Sequence, residues 1–304
     1  MTAAITVEEI HKFYGKVHAV DGVTFEVHEG EIFGMVGPNG AGKTTTIECI
    51  EGLRRADRGN VRVLGLSPQQ DGYELRERIG VQLQEAALPD RIKVGEAMDL
   101  FASFYRRSVD WDTLLSQFGL TEKRDAPFAK LSGGQKQRLF IALALINDPD
   151  LVFLDELTTG LDPQARLTMW DLVRSIRERG KTVFMTTHFM EEAERLCDRV
   201  AIIDHGQIVA LDTPESLIGS LGVEKRVILS TDSSFDAELL QSLPAVTRVE
   251  RAGERVVISG QNEKLVSSVV NTLEANGITF HDLRTEQPSL EDVFLALTGR
   301  ELRE

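Results

Sequence analysis

The chain has 304 residues, 42% of them apolar, with 34 lysines and arginines against 48 acidic residues for a formal charge of −14. That length exceeds one ordinary domain and the composition is that of a globular chain with a sizeable core, so two domains are expected and disordered or fibrous classes are excluded. The acidic balance repels phosphate backbones and argues against nucleic acid as a partner, and no apolar run approaches the roughly 18 residues of a membrane span.

Taken in order, alternating and continuous apolar segments predict strands at 5–10, 22–27 and 32–36, then a helix over 43–52. Strands at 61–63 and 79–83 follow, with helices over 94–105, 110–118 and 133–146. A strand at 151–154, a helix over 163–179, a strand at 182–185, a helix over 190–197 and a strand at 199–203 complete an alternating α/β pattern with an antiparallel flank at the front. The pattern breaks near 213–223 into turn residues, and a new block begins. Its order is strand (226–230), helix (235–242), strands (246–251, 255–259), helix (263–276) and strand (278–284), the split βαβ order of a small α+β domain. The expected domains are therefore 1–220 and 224–304. Cys49 and Cys197 lie far apart without metal-ligand spacing and read as partly buried thiols.

The loop Gly37-Pro38-Asn39-Gly40-Ala41-Gly42-Lys43-Thr44-Thr45 follows a predicted strand and opens a predicted helix, the context that makes G-x-x-x-x-G-K-T a phosphate loop. Its glycines let backbone N–H groups converge on phosphates, and the helix aims its positive end at the same point. Lys43 is placed to bridge the β- and γ-phosphates of a nucleotide, and the Thr44 hydroxyl to hold Mg²⁺. A second apolar strand ends in Asp155 and Glu156, whose side chains point to opposite sides. Asp155 is suited to orienting the Mg²⁺ shell and Glu156 to polarising an attacking water.

Leu131-Ser132-Gly133-Gly134-Gln135-Lys136-Gln137-Arg138 resembles the signature of ATP-binding-cassette (ABC) ATPases. The resemblance implies a P-loop core with an antiparallel flank, a helical subdomain at about 85–145, and an ATP-sandwich dimer. In that dimer Ser132, Gly133, Gly134 and Gln135 of one copy serve the nucleotide of the other. It further implies that Gln84 touches Mg²⁺ or the attacking water, that His188 contacts the γ-phosphate, and that Asp162 lies in the loop crossing the dimer. Asp162 also suffices as the N-cap before Pro163. Tyr14 resembles the aromatic that stacks on adenine, with Phe13 or plain core packing as the competing reading. Leu157 stands where the family usually has proline, which restores an N–H and frees φ; hydrolysis is expected to persist, because no chemical group is lost.

Near the end, Ser289 and Asp292 form a capping box, and Leu290, Val293, Phe294 and Leu297 make an apolar stripe at helical spacing. Burial within its own domain and docking on a partner are both open uses of this stripe. The ending resembles drug and antibiotic exporter ATPases of the daunorubicin-resistance type. This implies a separate transmembrane permease, a transported small molecule (a drug, antibiotic or lipid-like compound) and residence at the cytoplasmic face of a bacterial membrane. A polysaccharide or ion exporter subunit remains an alternative, as does a non-transport ABC ATPase, although no long coiled coil separates phosphate loop from signature.

Overall fold

The computed structural model describes residues 2–83, 87–220, 224–231, 238–260 and 264–299. It divides into two compact units between Pro214 and Glu215, inside the stretch 213–223 where the sequence pattern breaks and a few residues before the expected first-domain end at 220.

The first unit begins with β1 (Ala3–Tyr14), β2 (Val17–His28), β3 (Ile32–Val36), α1 (Lys43–Glu51), β4 (Arg58–Val63), α2 (Gly72–Arg76) and β5 (Ile79–Gln82). Three helices follow, α3 (Val94–Ala102), α4 (Trp111–Gln117) and α5 (Gly133–Ala144), in the segment expected to be the helical subdomain. The chain returns through β6 (Leu151–Asp155), α6 (Pro163–Glu178), β7 (Thr182–Thr187), α7 (Met190–Leu196), β8 (Arg199–Asp204) and β9 (Gln207–Asp212).

Two sheets result. A flank of order β2-β1-β4 is antiparallel throughout, and a six-stranded sheet runs β5-β6-β7-β3-β8-β9. In the larger sheet β5, β6, β7, β3 and β8 are parallel, and β9 closes the edge antiparallel. Every residue of β3, β6 and β7 is buried, as parallel strands covered on both faces require. Phe33 stacks on both Phe25 of the flank and Phe184 of β7, with ring centroids 5.3 and 5.6 Å away, and those two rings lie 6.0 Å apart, so one aromatic cluster joins the two sheets. Parallel pairing also brings the carboxyl ends of β5, β6, β7 and β3 to one edge, where the loops of an open α/β sheet form a site.

The second unit contains most of α8 (Pro214–Ser220), then β10 (Lys225–Ser230), α9 (Glu238–Gln241), β11 (Arg248–Ala252), β12 (Arg255–Gly260), α10 (Leu265–Ala275), β13 (His281–Glu286) and α11 (Leu290–Thr298). Its sheet has the order β11-β12-β10-β13 with every pair antiparallel, the arrangement that a split βαβ sequence produces. Val227, Leu229, Val256 and Ile258 point to one face and pack with Leu265, Val269 and Leu273 of α10. The expected helix over 235–242 begins outside the described residues, and its described part is α9. In α11 the capping box between Ser289 and Asp292 is formed, and Leu290, Val293 and Phe294 are buried. Asp292 also lies 3.5 Å from Arg226 of β10.

Candidate functional site

The phosphate-type loop joins β3 to α1. Gly42 adopts φ 107°, a conformation that strains any residue with a side chain. A methyl group there would sit 2.3 Å from the Ala19 carbonyl oxygen, and one at Gly37 would sit 2.2 Å from that of Ile203. These close approaches, besides any ligand, require glycine. No side chain caps α1 and no acidic residue lies in its first turn, so no residue of the helix's own first turn takes up its N-terminal donors. Thr44 and Thr45, half-buried, occupy that first turn.

Lys43 is 4% exposed, and its ammonium donates to the carbonyl oxygens of Gly37 (2.9 Å) and Pro38 (3.2 Å). Burial lowers its pKa, while Glu156 and Asp155 act in the opposite direction. The Glu156 Oε1 atom is 3.4 Å from Lys43 Nζ, which ties the end of β6 to the loop after β3. Glu156 takes φ 47°, a left-handed conformation uncommon for a residue with a Cβ, and its N–H donates to the Thr186 carbonyl oxygen at 3.1 Å. Its Oε2 atom accepts from the Thr159 hydroxyl at 3.4 Å. His188 Nδ1 is 3.5 Å from the same oxygen, within ion-pair reach but not aligned as a hydrogen bond. Leu157 is buried at 1% exposure, so an apolar contact occupies the position where proline was expected.

Asp155 accepts a short hydrogen bond from the Thr186 hydroxyl. Burial raises its pKa, with that bond and Lys43 pulling the other way. A hydroxyl at Thr44 and a carboxylate at Asp155 would offer oxygen donors only, the chemistry that suits Mg²⁺, an ion that keeps several waters and binds through few protein groups plus substrate phosphates. No group of three or more His, Cys, Asp or Glu able to hold a metal occurs among the described residues.

The structure thus brings Lys43, Asp155, Glu156 and His188 together. Gln84 lies outside the described residues. Tyr14, at the end of β1, is 43% exposed, with the Arg54 guanidinium 5.4 Å from its ring centroid. Phe13 turns the other way and packs edge-on against His18 at 4.7 Å. Thr186, Thr159 and Arg54 were not singled out from the sequence. Thr186 had a signal, being two residues before His188 on a buried strand.

The signature residues lie elsewhere. Ser132 caps α5 by accepting from the Gln135 N–H at 3.3 Å, and the Gln135 side chain accepts from the Ser132 N–H at 2.9 Å. Asp162 caps α6 by accepting from Ala165 N–H at 2.9 Å. Ser132, Gly133, Gly134, Gly160 and Asp162 line one open cavity of about 440 Å³, whose described lining includes no residue of the phosphate-type loop. Cys49 and Cys197 are both free and buried, more deeply than expected.

A parallel sheet that presents a glycine-lined helix start beside a buried lysine and two carboxylates defines a P-loop nucleoside-triphosphatase. Residues 20–159 match the family model described as ABC transporter. Over 100% of this chain and 96% of the relative, the sequence is 38% identical to the Nod factor export ATP-binding protein I of Ralstonia nicotianae. It is 34% identical to the daunorubicin resistance ATP-binding protein DrrA3 of Streptomyces coeruleorubidus, over 99% and 97% of the two chains. A solved dimeric structure of a bacterial ABC transporter cassette superposes with a TM-score of 0.61 at 25% identity, covering 69% of this chain and 98% of that one. The chain belongs to the ATP-binding proteins of the ABC transporter family, and it is an ATPase.

Proposed function

We propose that the chain is the ATP-hydrolysing subunit of an exporter, moving a drug, antibiotic or lipid-like compound through a separate membrane permease. The reading rests mainly on one observation: two relatives named for export and for drug resistance align over nearly the whole chain, including the second unit, which lies beyond the matched family model. Among the described residues no helix is long and apolar enough to cross a membrane, so on this reading the lipid-spanning path belongs to the partner. The chain would act at the cytoplasmic face of the membrane, held there by the permease.

In this proposal the loop at 37–45 cradles the ATP phosphates, Lys43 bridges the β- and γ-groups, and Tyr14 carries the adenine. Its exposed ring, set against the packed ring of Phe13, supports Tyr14 over Phe13. Thr44 and Asp155 would hold Mg²⁺, which supplies charge neutralisation at the phosphates when bound. Glu156 takes the proton of the attacking water, because its carboxylate lies beside Lys43 at the end of β6. His188, within ion-pair reach of Glu156, faces the same phosphoryl group.

A second copy would bring Ser132, Gly133, Gly134 and Gln135 to the nucleotide. The separation of the Ser132–Asp162 cavity from the phosphate-type loop supports this, since one chain then presents two halves of different sites. Co-expression with a candidate permease, followed by ATPase assays with and without transport substrates, tests the exporter reading. Stable copurification and substrate-stimulated turnover are expected; an ATPase that copurifies with no membrane protein and ignores every such compound would contradict it.

A further inference from the structure

The aromatic end of β1 is fastened to the far end of the helix that starts at the phosphate-type loop. Lys12, Phe13 and Tyr14 close β1, while Arg54, Arg55 and Asp57 lie in the connection from α1 to β4. Three bonds lace the two segments together. The Lys12 ammonium donates to the Arg55 carbonyl oxygen at 2.9 Å and to Asp57 Oδ1 at 3.0 Å, and the Phe13 N–H donates to Asp57 Oδ2 at 2.8 Å.

Tyr14 receives a fourth contact of different chemistry. The Arg54 guanidinium lies over its ring, 5.4 Å from the centroid, and the Lys12 ammonium lies 5.9 Å from it. An aromatic face attracts such cations through its quadrupole. Arg54 is itself anchored: its Nε donates to Oε2 of Glu48 on α1 at 2.5 Å, and its carbonyl oxygen accepts from the Gln69 amide at 3.1 Å. One guanidinium therefore bridges a carboxylate of α1 and the ring of Tyr14. A cation over one face of a ring leaves the other face for stacking, and Tyr14 stays exposed. A staple that served the strand alone would need no cation on an exposed ring, since the Lys12 and Asp57 bonds already fix the end of β1.

We propose that Arg54 is a positioning residue for the nucleobase. Through Glu48 and α1 it seats the Tyr14 ring at a set distance from the phosphate-type loop, and so favours a triphosphate that carries a base over one that carries none. The inference rests on the adenine role given to Tyr14 above. It predicts a modest loss of affinity confined to the base.

The test uses the purified full chain with Mg²⁺ present. ATP affinity is measured by titration calorimetry, and inorganic tripolyphosphate is measured in competition with ATP, which isolates the phosphate contacts. Arg54→Met removes the charge but keeps a long side chain; it should weaken ATP affinity about three- to fivefold and leave tripolyphosphate within about 1.5-fold. Arg54→Lys returns a cation to the ring and should recover to within about twofold of wild type. Glu48→Gln loosens the guanidinium and should give a loss of about twofold, again for ATP alone. Tyr14→Ala should weaken ATP about tenfold, and adding Arg54→Met to it should cost nothing more.

Equal losses for ATP and tripolyphosphate, or a further loss when Arg54→Met is added to Tyr14→Ala, would overturn the proposal. If Tyr14→Ala leaves ATP affinity unchanged, the adenine role of Tyr14 fails and the inference falls with it. If Tyr14→Ala weakens ATP selectively while Arg54→Met does not, only the Arg54 inference fails.

Discussion

Two helix starts in the first unit look alike in sequence, both glycine-rich, yet the structure equips them differently. The start of α1 is uncapped, and it lies beside a buried lysine and two buried carboxylates. The start of α5 is exposed and closed by its own Ser132–Gln135 capping box. The first is a cradle whose charged groups are already assembled. The second offers N–H groups and a hydroxyl but has no lysine or carboxylate partner among its described hydrogen bonds and ion pairs, so it suits contact with an anion that something else holds.

The sharpest way to test that contrast is to remove the charge from the cradle. Lys43→Ala should weaken ATP affinity by at least ~100-fold in the isolated chain, since a charge-assisted, water-excluded contact is lost; near-normal affinity in an equilibrium titration would break the comparison. Glu156→Gln should leave affinity within a few-fold of wild type but lower turnover by about 10² to 10³, and ATP should accumulate in a dimer seen by light scattering. Unchanged turnover would take Glu156 out of the mechanism.

The exposed helix start should behave otherwise. If, as proposed, the hydroxyl serves only the assembled site, Ser132→Ala should reduce turnover by about tenfold while leaving nucleotide affinity of the monomer within about twofold. A large loss of affinity in the monomer would place the residue in the cradle instead.

The smallest expected effect concerns the far end of α1. Glu51 is 6% exposed, neither of its oxygens has a hydrogen-bond partner, and burial pushes its pKa up to about 9 from an ordinary 4.5. A carboxyl raised in this way favours the folded state fully below its unfolded value and loses that contribution as pH rises toward the folded one. Between about 4.5 and 9, stability should therefore fall with pH. Glu51→Gln should flatten that slope and stabilise the chain at pH 8 by roughly 1 to 2 kcal/mol in urea denaturation. An identical slope in both proteins would mean that Glu51 is not the group responsible.

The contiguous parts of the site were legible because their chemistry is local. A phosphate loop, a carboxylate pair and a signature each occupy a few adjacent residues, and the parallel sheet then carries Lys43, Asp155, Glu156 and His188 to one edge. What was missed is non-local or irregular. β1 was expected only over 5–10 because register shifts around Val7 and Ile10 and the left-handed Glu9 break its alternation. β9 was missed because it is half-exposed and carries no clear apolar rhythm. The bond from the Trp170 indole to Glu192 joins α6 to α7, residues 22 apart that only the fold brings together. In the second unit β13 lies at 281–286, later than the expected 278–284, because an edge strand with mostly exposed side chains leaves little apolar pattern to set its ends.

The central claim is that one copy's cradle works with the other copy's signature. Mixing two inactive variants, Lys43→Ala and Ser132→Arg, tests it most directly, since a mixed dimer holds one composite site with both defects and one with neither. Turnover should return to roughly a quarter of wild type at equal mixing, because half of the dimers are mixed and each has one intact site. A mixture as inactive as its components, with mixed dimers demonstrated by differential tagging, would contradict the account.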